Sequence, residues 1–469
     1  MIRLIKAFIF LFLVLSSTTS FAQVEEAVTG YWSGSIDLNG RGLSINVTFT
    51  ESEQLFDGTI DIPEQQAYTL PVEVIKANSD SLVFQFQTGT GPAIFRGELN
   101  IQDERVRGVF TQVGQSFPFQ LDKMTLSNGL YSDLPDQEII IPTDSARISG
   151  SLLLHETKSP LVILVSGSGS QDRDQTVAGF PTFRLLSSSL YNRGYSTFRY
   201  DDPGVGGSTG NADATLEELA SDLKEIVRHL SQRFGNEISG IVLAGHSQGG
   251  LVSGLAAQEI NVQGVVLLAT PFLRGDQVIN DQIKTISVAR GVPDEIVEQN
   301  LEFQQSLYEV VRDSGNWNEV EQDLYQRLEE QVNKLPEQQR QSLGDMSRFI
   351  QSQVDRQLAT AKSDWFRSLI QLNPKEVFAE VDEPMLAIFG ENDTQVLPEQ
   401  NSEAAAELIA EEDLRLRYTI LPKANHLFQV SQSGMPSEYG MLKREFTDDF
   451  INRIVEFIQV ATSAPAGES

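Results

Sequence analysis

Cysteine is absent from all 469 residues, which excludes a disulfide framework and a lipid-modified cysteine near the amino terminus. Stability outside a reducing compartment must then come from packed cores alone, and a chain this long can build two or three of them. Histidine is nearly as scarce. Any proton transfer through imidazole must use His155, His229, His246 or His426. Positive charge is also short: 35 Lys and Arg stand against 65 Asp and Glu, a formal net charge of −30. Such a surface repels nucleic acid and anionic lipid at long range, so neither is expected as a partner. No apolar run is long enough to make a good membrane span. The one at Ala7 to Leu15 follows Arg3 and Lys6 and ends at Ser20-Phe21-Ala22, the order of a secretory signal peptide. Residues 1–22 are therefore expected to be removed, leaving an exported protein, periplasmic or secreted, with no stable membrane insertion.

Between about Thr29 and Lys123 the apolar residues alternate in short segments split by turn residues, among them Ser44 to Phe49, Leu82 to Phe86, Ile94 to Ile101, Val106 to Val113 and Phe117 to Leu121. That period predicts a small all-β domain over residues 24–125, a barrel or sandwich. Tyr31, Trp32, Phe84, Phe86, Phe95, Phe110, Phe117 and Phe119 are its expected core and sheet faces. Leu126 to Pro135 reads as a linker. The pattern then changes. Over residues 136–461, apolar runs such as Leu161 to Val165, Tyr195 to Tyr200, Ile238 to Ala244, Val262 to Leu268, Met385 to Phe389 and Leu414 to Leu421 alternate with helical spacing. This predicts an α/β domain with a mostly parallel sheet covered on both faces. The interval 273–373 breaks the alternation with polar, helix-spaced sequence, and is expected to form a helical cap over the active-site end.

Ile241 to Ala244 runs straight into Gly245-His246-Ser247-Gln248-Gly249, followed at once by an apolar helix pattern. A serine in G-x-S-x-G between a strand and a helix is a nucleophile elbow, with glycines where side chains would strike neighbouring backbone. Ser247 is the candidate nucleophile. Its base should come from a loop after another strand, and His426 follows the last one. His229 falls in a helical pattern, His155 ends the leading strand pair, and His246 should point its ring away from its neighbour's hydroxyl. Glu391 and Asp393 follow the strand Met385 to Phe389; the turn at Gly390 favours Asp393 as the acid that orients the imidazole. Two oxyanion donors are needed as well. The N–H of Gln248 is one, and the N–H of Ser168, in the loop Ser166-Gly167-Ser168-Gly169-Ser170, is the other. No cluster of metal ligands is evident, and no cofactor is expected.

The order Ser247, Asp393, His426 resembles the α/β-hydrolase superfamily. The runs from Gly167 to Asp174 and from Arg199 to Gly210 resemble a group of bacterial exported esterases, serine aminopeptidase-like (S33) or dienelactone hydrolase-like, that often carry an amino-terminal β-domain. That pattern has proline where Ser170 stands and arginine where Pro203 stands; the second difference removes an expected partner for Asp201. Asp172, Arg173 and Asp174 are expected to brace the oxyanion loop. The resemblance implies hydrolysis of a small-molecule carboxylic ester through an acyl-enzyme. Peptide cleavage, acyl transfer to another acceptor, and a non-catalytic binding role on the same fold are the other readings.

Overall fold

The computed structural model describes residues 27–463 apart from 38–41, 52–55, 63–66, 89–90, 124–134, 314, 338–339, 341–342 and 413. The expected signal segment 1–22 and most of the expected linker lie outside these residues. Two compact units are present. The first takes in the chain up to residue 132 with 177–180 and 436–444; the second holds the rest.

The first unit is a closed, antiparallel eight-stranded barrel: β1 (Gly30–Asp37), β2 (Gly42–Glu51), β3 (Phe56–Ile62), β4 (Ala67–Asn78), β5 (Ser81–Thr88), β6 (Gly91–Asn100), β7 (Arg105–Gln112) and β8 (Gln115–Lys123), with β1 pairing β8 to close it. Three of these strands, β1, β3 and β4, are not evident in the sequence, because glycine, aspartate and proline interrupt their alternation. In β1 the interruption is a requirement of closure: a Cβ on Gly34 would lie 1.9 Å from the carbonyl oxygen of Gln120 on β8. Alternate residues Leu82, Phe84 and Phe86 point inward. Their side chains join Trp32, Phe49, Phe95 and Phe119 in one core, with Phe84 stacked on Phe95 at 4.5 Å between centroids and Phe119 edge-on to Phe95 at 5.0 Å. The interior is therefore filled by side chains.

In the second unit the strands are β9 (Gln137–Pro142), β10 (Arg147–Leu153), β11 (Ser159–Val165), β12 (Ser196–Tyr200), β13 (Ile238–His246), β14 (Gly264–Leu268), β15 (Met385–Gly390) and β16 (Leu416–Leu421). They form one sheet in the order β16-β15-β14-β13-β11-β12-β10-β9, parallel from β16 to β12 and antiparallel at the β10 and β9 edge. Strand order reverses between β11 and β13, the place where open α/β sheets open a crevice at their carboxyl ends. Helices α1 (Thr182–Tyr191), α2 (Leu216–Phe234) and α3 (Gln248–Ala257) follow β11, β12 and β13 in turn. The sequence of α2 shows why it forms. Thr215 and Glu218 make a capping box, and Leu216, Ala220, Leu223, Val227, Leu230 and Phe234 supply one buried stripe. The expected α/β fold with a preceding β-domain is what the chain adopts.

The interval expected to be a cap is helical: α4 (Gly275–Ala289), α5 (Asp294–Asp313), α6 (Trp317–Asn333), α7 (Met346–Ala361) and α8 (Asp364–Gln371). They share a core of their own around Leu307, Tyr308, Val311, Ile350, Val354 and Phe366. Helix breaks fall at Gly291 to Pro293, Gly315 and Pro336, as the sequence suggests; a further one before α7 is capped by Asp345.

Candidate active site

Ser247 joins β13 to α3 at φ 52° and ψ −121°, a conformation that L-residues avoid unless their surroundings impose it. The surroundings are the flanking glycines. A Cβ on Gly245 would lie 2.2 Å from the carbonyl oxygen of Gly249, and one on Gly249 would lie 2.2 Å from that of Val165. The Ser247 N–H donates to the Leu268 carbonyl at 2.7 Å, tying the turn to the next strand. The Gln248 N–H stands at the first position of α3, where helix N–H groups have no intrahelical acceptor.

Asp393 follows β15 and His426 follows β16. The Asp393 Oδ2 lies 2.7 Å from the His426 Nδ1. Its Oδ1 accepts the N–H groups of Gln395 and Val396 at 2.7 and 2.9 Å, so the carboxylate is held in place before it meets the ring. Both side chains are buried. Nδ1 is thereby engaged, which leaves Nε2 as the basic nitrogen. Glu391 points elsewhere, accepting the N–H of Lys423 at 2.8 Å. The His246 ring is buried 4.7 Å from that of His426, and its Nε2 lies 2.9 Å from the His426 carbonyl oxygen, which docks the loop carrying His426 onto the residue before Ser247. Of the other two histidines, His155 packs its ring edge on Tyr191 and shares a hydrogen bond with Thr157, and His229 lies within α2.

The loop after β11 passes directly against the elbow: a Cβ on Gly167 would lie 3.4 Å from the Ser247 Cβ. This brings Ser168 beside the same turn. Two carboxylates after β12 fix the loop. Asp202 accepts from the Ser166 hydroxyl and from the Gln171 N–H at 2.9 Å, and its own N–H donates to the Gln171 carbonyl at 3.1 Å. Burial, with Asp201 and Asp172 close by, raises the Asp202 carboxyl to about 7 despite those two bonds. Asp201 has a partner that the sequence did not suggest. With proline at 203, Arg173 takes the place of the missing arginine, donating from Nε and Nη2 to the two Asp201 oxygens at 3.0 and 2.6 Å, and onward to Ser149 and Ser151. Burial acts to raise the Asp201 carboxyl, but these bonds and the Gly207 N–H outweigh it and hold the group below its ordinary value. Asp174 bonds the fully buried Arg199 at 2.7 Å, and Arg199 also reaches Asp136. Arg173 is thus spent on the scaffold.

A cavity of about 420 Å³ opens beside the elbow between the Gly167 loop, residues 211–214 and the cap. Gln248, Tyr200, Asp202, Asp213, Thr360 and Trp365 are among its walls. From α8, the Trp365 indole N–H donates to the Gln248 side-chain oxygen at 2.7 Å. The helical interval therefore touches the helix turn that follows Ser247. Of the large apolar side chains in these helices, Phe366 and Leu307 are core, Phe303, Trp317 and Phe349 pack on that core, and Trp365 does this while also facing the cavity.

The pattern of the alpha/beta hydrolase family matches residues 162–435, more than half of the chain. The chain belongs to the alpha/beta hydrolase family. Among characterised proteins it is similar to the esterase EstD of Thermotoga maritima, 25% identical over 290 residues that make up 62% of this chain and 59% of that one. The chain thus spans about three fifths of that relative's length. Among solved structures it is similar to the Pyrococcus furiosus esterase Pf2001 (16% identity, 72% of this chain and 94% of that one, TM-score 0.42) and to a Thermogutta terrifontis esterase (18%, 70% and 99%, TM-score 0.39).

Within this hydrolase frame, two contributors were not legible in the sequence. Asp202 sits in a run of charged and glycine residues with nothing to mark it from Asp201, and Trp365 sits on an amphipathic helix whose orientation depends on how the cap docks. Among the described residues no group of three His, Cys, Asp or Glu could hold a metal ion, and no helix is long and apolar enough to cross a membrane.

Proposed function

We propose that the protein is an exported serine hydrolase that cleaves small-molecule carboxylic esters through an acyl-enzyme. Ser247 Oγ attacks the ester carbonyl while His426 Nε2 takes its proton, and Asp393 holds the ring and stabilises the imidazolium. The N–H groups of Gln248 and Ser168 receive the developing oxyanion. Collapse breaks the bond to the alcohol, which leaves with the proton from His426. Water, deprotonated by the same nitrogen, then releases the acid and restores Ser247. The observation that carries this reading is the Asp393 to His426 bond of 2.7 Å, on a loop docked against the residue that precedes a serine at φ 52°. Similarity to a protein named as an esterase supports the ester as substrate. Export rests on the amino-terminal sequence pattern.

A peptidase reading has one observation in its favour: Asp202 and Asp213 both line the cavity, where carboxylates could hold a substrate amine. An Asp202 carboxyl raised to about 7 is only part-ionised at neutral pH, which weakens it as an ammonium partner. The purified protein should hydrolyse p-nitrophenyl esters of short acyl chains faster than aminoacyl anilides. Faster anilide cleavage would replace the ester reading with the peptidase one.

A further inference from the structure

One buried side chain that the proposed mechanism does not use links the loop after β11 to the elbow and, through His246, to the loop that carries His426. Gln175 follows the Asp172 to Asp174 run, is 1% exposed and holds a left-handed φ of 45°, a conformation that costs a non-glycine residue energy and persists where its surroundings enforce it. Its Oε1 accepts the N–H of Gly167 at 2.9 Å. A backbone N–H can only donate, so that atom is the carbonyl oxygen and the other end of the amide is the NH2 group. The NH2 group lies 3.0 Å from the His246 Nδ1 and must donate to it, which leaves Nδ1 unprotonated. The proton is then on Nε2, which donates to the His426 carbonyl at 2.9 Å. The tautomer of His246 follows from the chain of bonds with no choice left open. Burial, and then the neighbouring His426, lower this imidazole to about 3, so the ring stays neutral.

We infer that Gln175 is a positioning residue for the hydrolytic reaction, fixing through His246 the relative placement of the oxyanion loop, the nucleophile elbow and the base loop. The inference rests on the reading of Ser247, His426 and Asp393 as the reacting set. The chain of donors runs one way, from Gly167 N–H through Gln175 and His246 to the His426 carbonyl, so each bond polarises the next. It also consumes the Gly167 N–H, so the donor that loop offers to an oxyanion must come from a later residue, of which Ser168 is the first. A small shift of either loop would misplace a donor or the base, and misplacement on that scale costs about a hundredfold in rate. Gln175 bridges the loop after β11 to the elbow, and the His246 side chain carries the link on to the loop that holds His426.

Two substitutions separate positioning from bulk stability. Gln175→Leu keeps the volume and removes both bonds. Gln175→Glu reproduces the amide's pattern when neutral, with an O–H donating to Nδ1 and a C=O accepting from Gly167, but offers only acceptors when ionised. The titratable groups that face His246 are His426, with Asp393 behind it. Steady-state hydrolysis of p-nitrophenyl butyrate by the full chain should show kcat of Gln175→Leu reduced about 10- to 100-fold with KM within about threefold of wild type. The activity of Gln175→Glu relative to wild type should fall as pH rises from 5 to 8, whereas that of Gln175→Leu stays level. Nitrogen-15 histidine spectra of the wild type should show one buried imidazole protonated at Nε2 alone throughout that range. A Gln175→Leu kcat within twofold of wild type, a flat Gln175→Glu ratio, or a His246 proton on Nδ1 each overturns the assignment. A wild type inert to esters and anilides sinks the reading of the reacting set instead, and the histidine spectra still decide the tautomer.

Discussion

Replacing Asp202 by asparagine should abolish a specific part of the protein's pH dependence. The carboxyl is raised from 3.8 to about 7 in the folded chain, chiefly by burial. Because the folded pKa is the higher one, the native state binds the extra proton between these values. The group therefore contributes stability that is fully present below about pH 4 and is lost as pH rises through 7. Between pH 5 and 7 the loss works out at about 2 kcal/mol, from about 1.4 kcal/mol per pH unit less the part-titration near the upper pKa. Asparagine is isosteric and can keep both bonds, its Oδ1 accepting the Gln171 N–H and its NH2 group donating to the Ser166 hydroxyl. It has no proton to lose. Urea unfolding of the hydrolase unit at pH 5 and pH 7 should accordingly show wild type losing about 2 kcal/mol more than Asp202→Asn over that interval. The shared pH dependence of all other groups cancels in the comparison. Equal losses in the two proteins would refute the burial argument, and with it the claim that this carboxyl sits half-protonated in the cavity wall at neutral pH.

Other expectations follow from the same contacts. Asp393→Asn should lower kcat by about a thousand- to ten-thousandfold, because the amide no longer holds His426 in the tautomer whose Nε2 is basic; ester hydrolysis near the pH optimum checks this, and a loss under tenfold would contradict it. Trp365→Phe removes the 2.7 Å bond to the Gln248 side chain. An orphaned buried acceptor costs about 1 to 3 kcal/mol. If that cost falls on the transition state, kcat/KM drops by about 5- to 150-fold, and an unchanged value would show that the cap does not support the oxyanion helix.

Much of the fold was legible because it rests on short-range pattern. The strands β11, β13, β14 and β15 are apolar on both faces, and α2 carries its own cap and stripe, so local sequence and final structure agree. Barrel strands β1, β3 and β4 were hidden because closure demands glycine or tolerates proline at positions that only the neighbouring strand explains. The sequence readings of Ser247, Asp393 and His426 drew on strand ends, which periodicity locates well, and the structure brings the latter two into contact. Gln175 and Trp365 had no such signal. Each acts through a partner more than seventy residues away, and nothing in the local composition marks a glutamine that bonds His246 or a tryptophan that bonds Gln248. The difference between the resembled pattern and Asp201's actual partner, Arg173, has the same cause: a charge can be satisfied from any element that folding brings near.

The central claim is that Ser247 is an activated nucleophile, and covalent trapping tests it most directly. Treated with a fluorophosphonate probe and examined by intact mass and peptide mapping, the folded wild type should gain one adduct on Ser247, and Ser247→Ala should gain none. A folded wild type that stays unlabelled, or an alanine variant labelled to the same extent, would contradict the account.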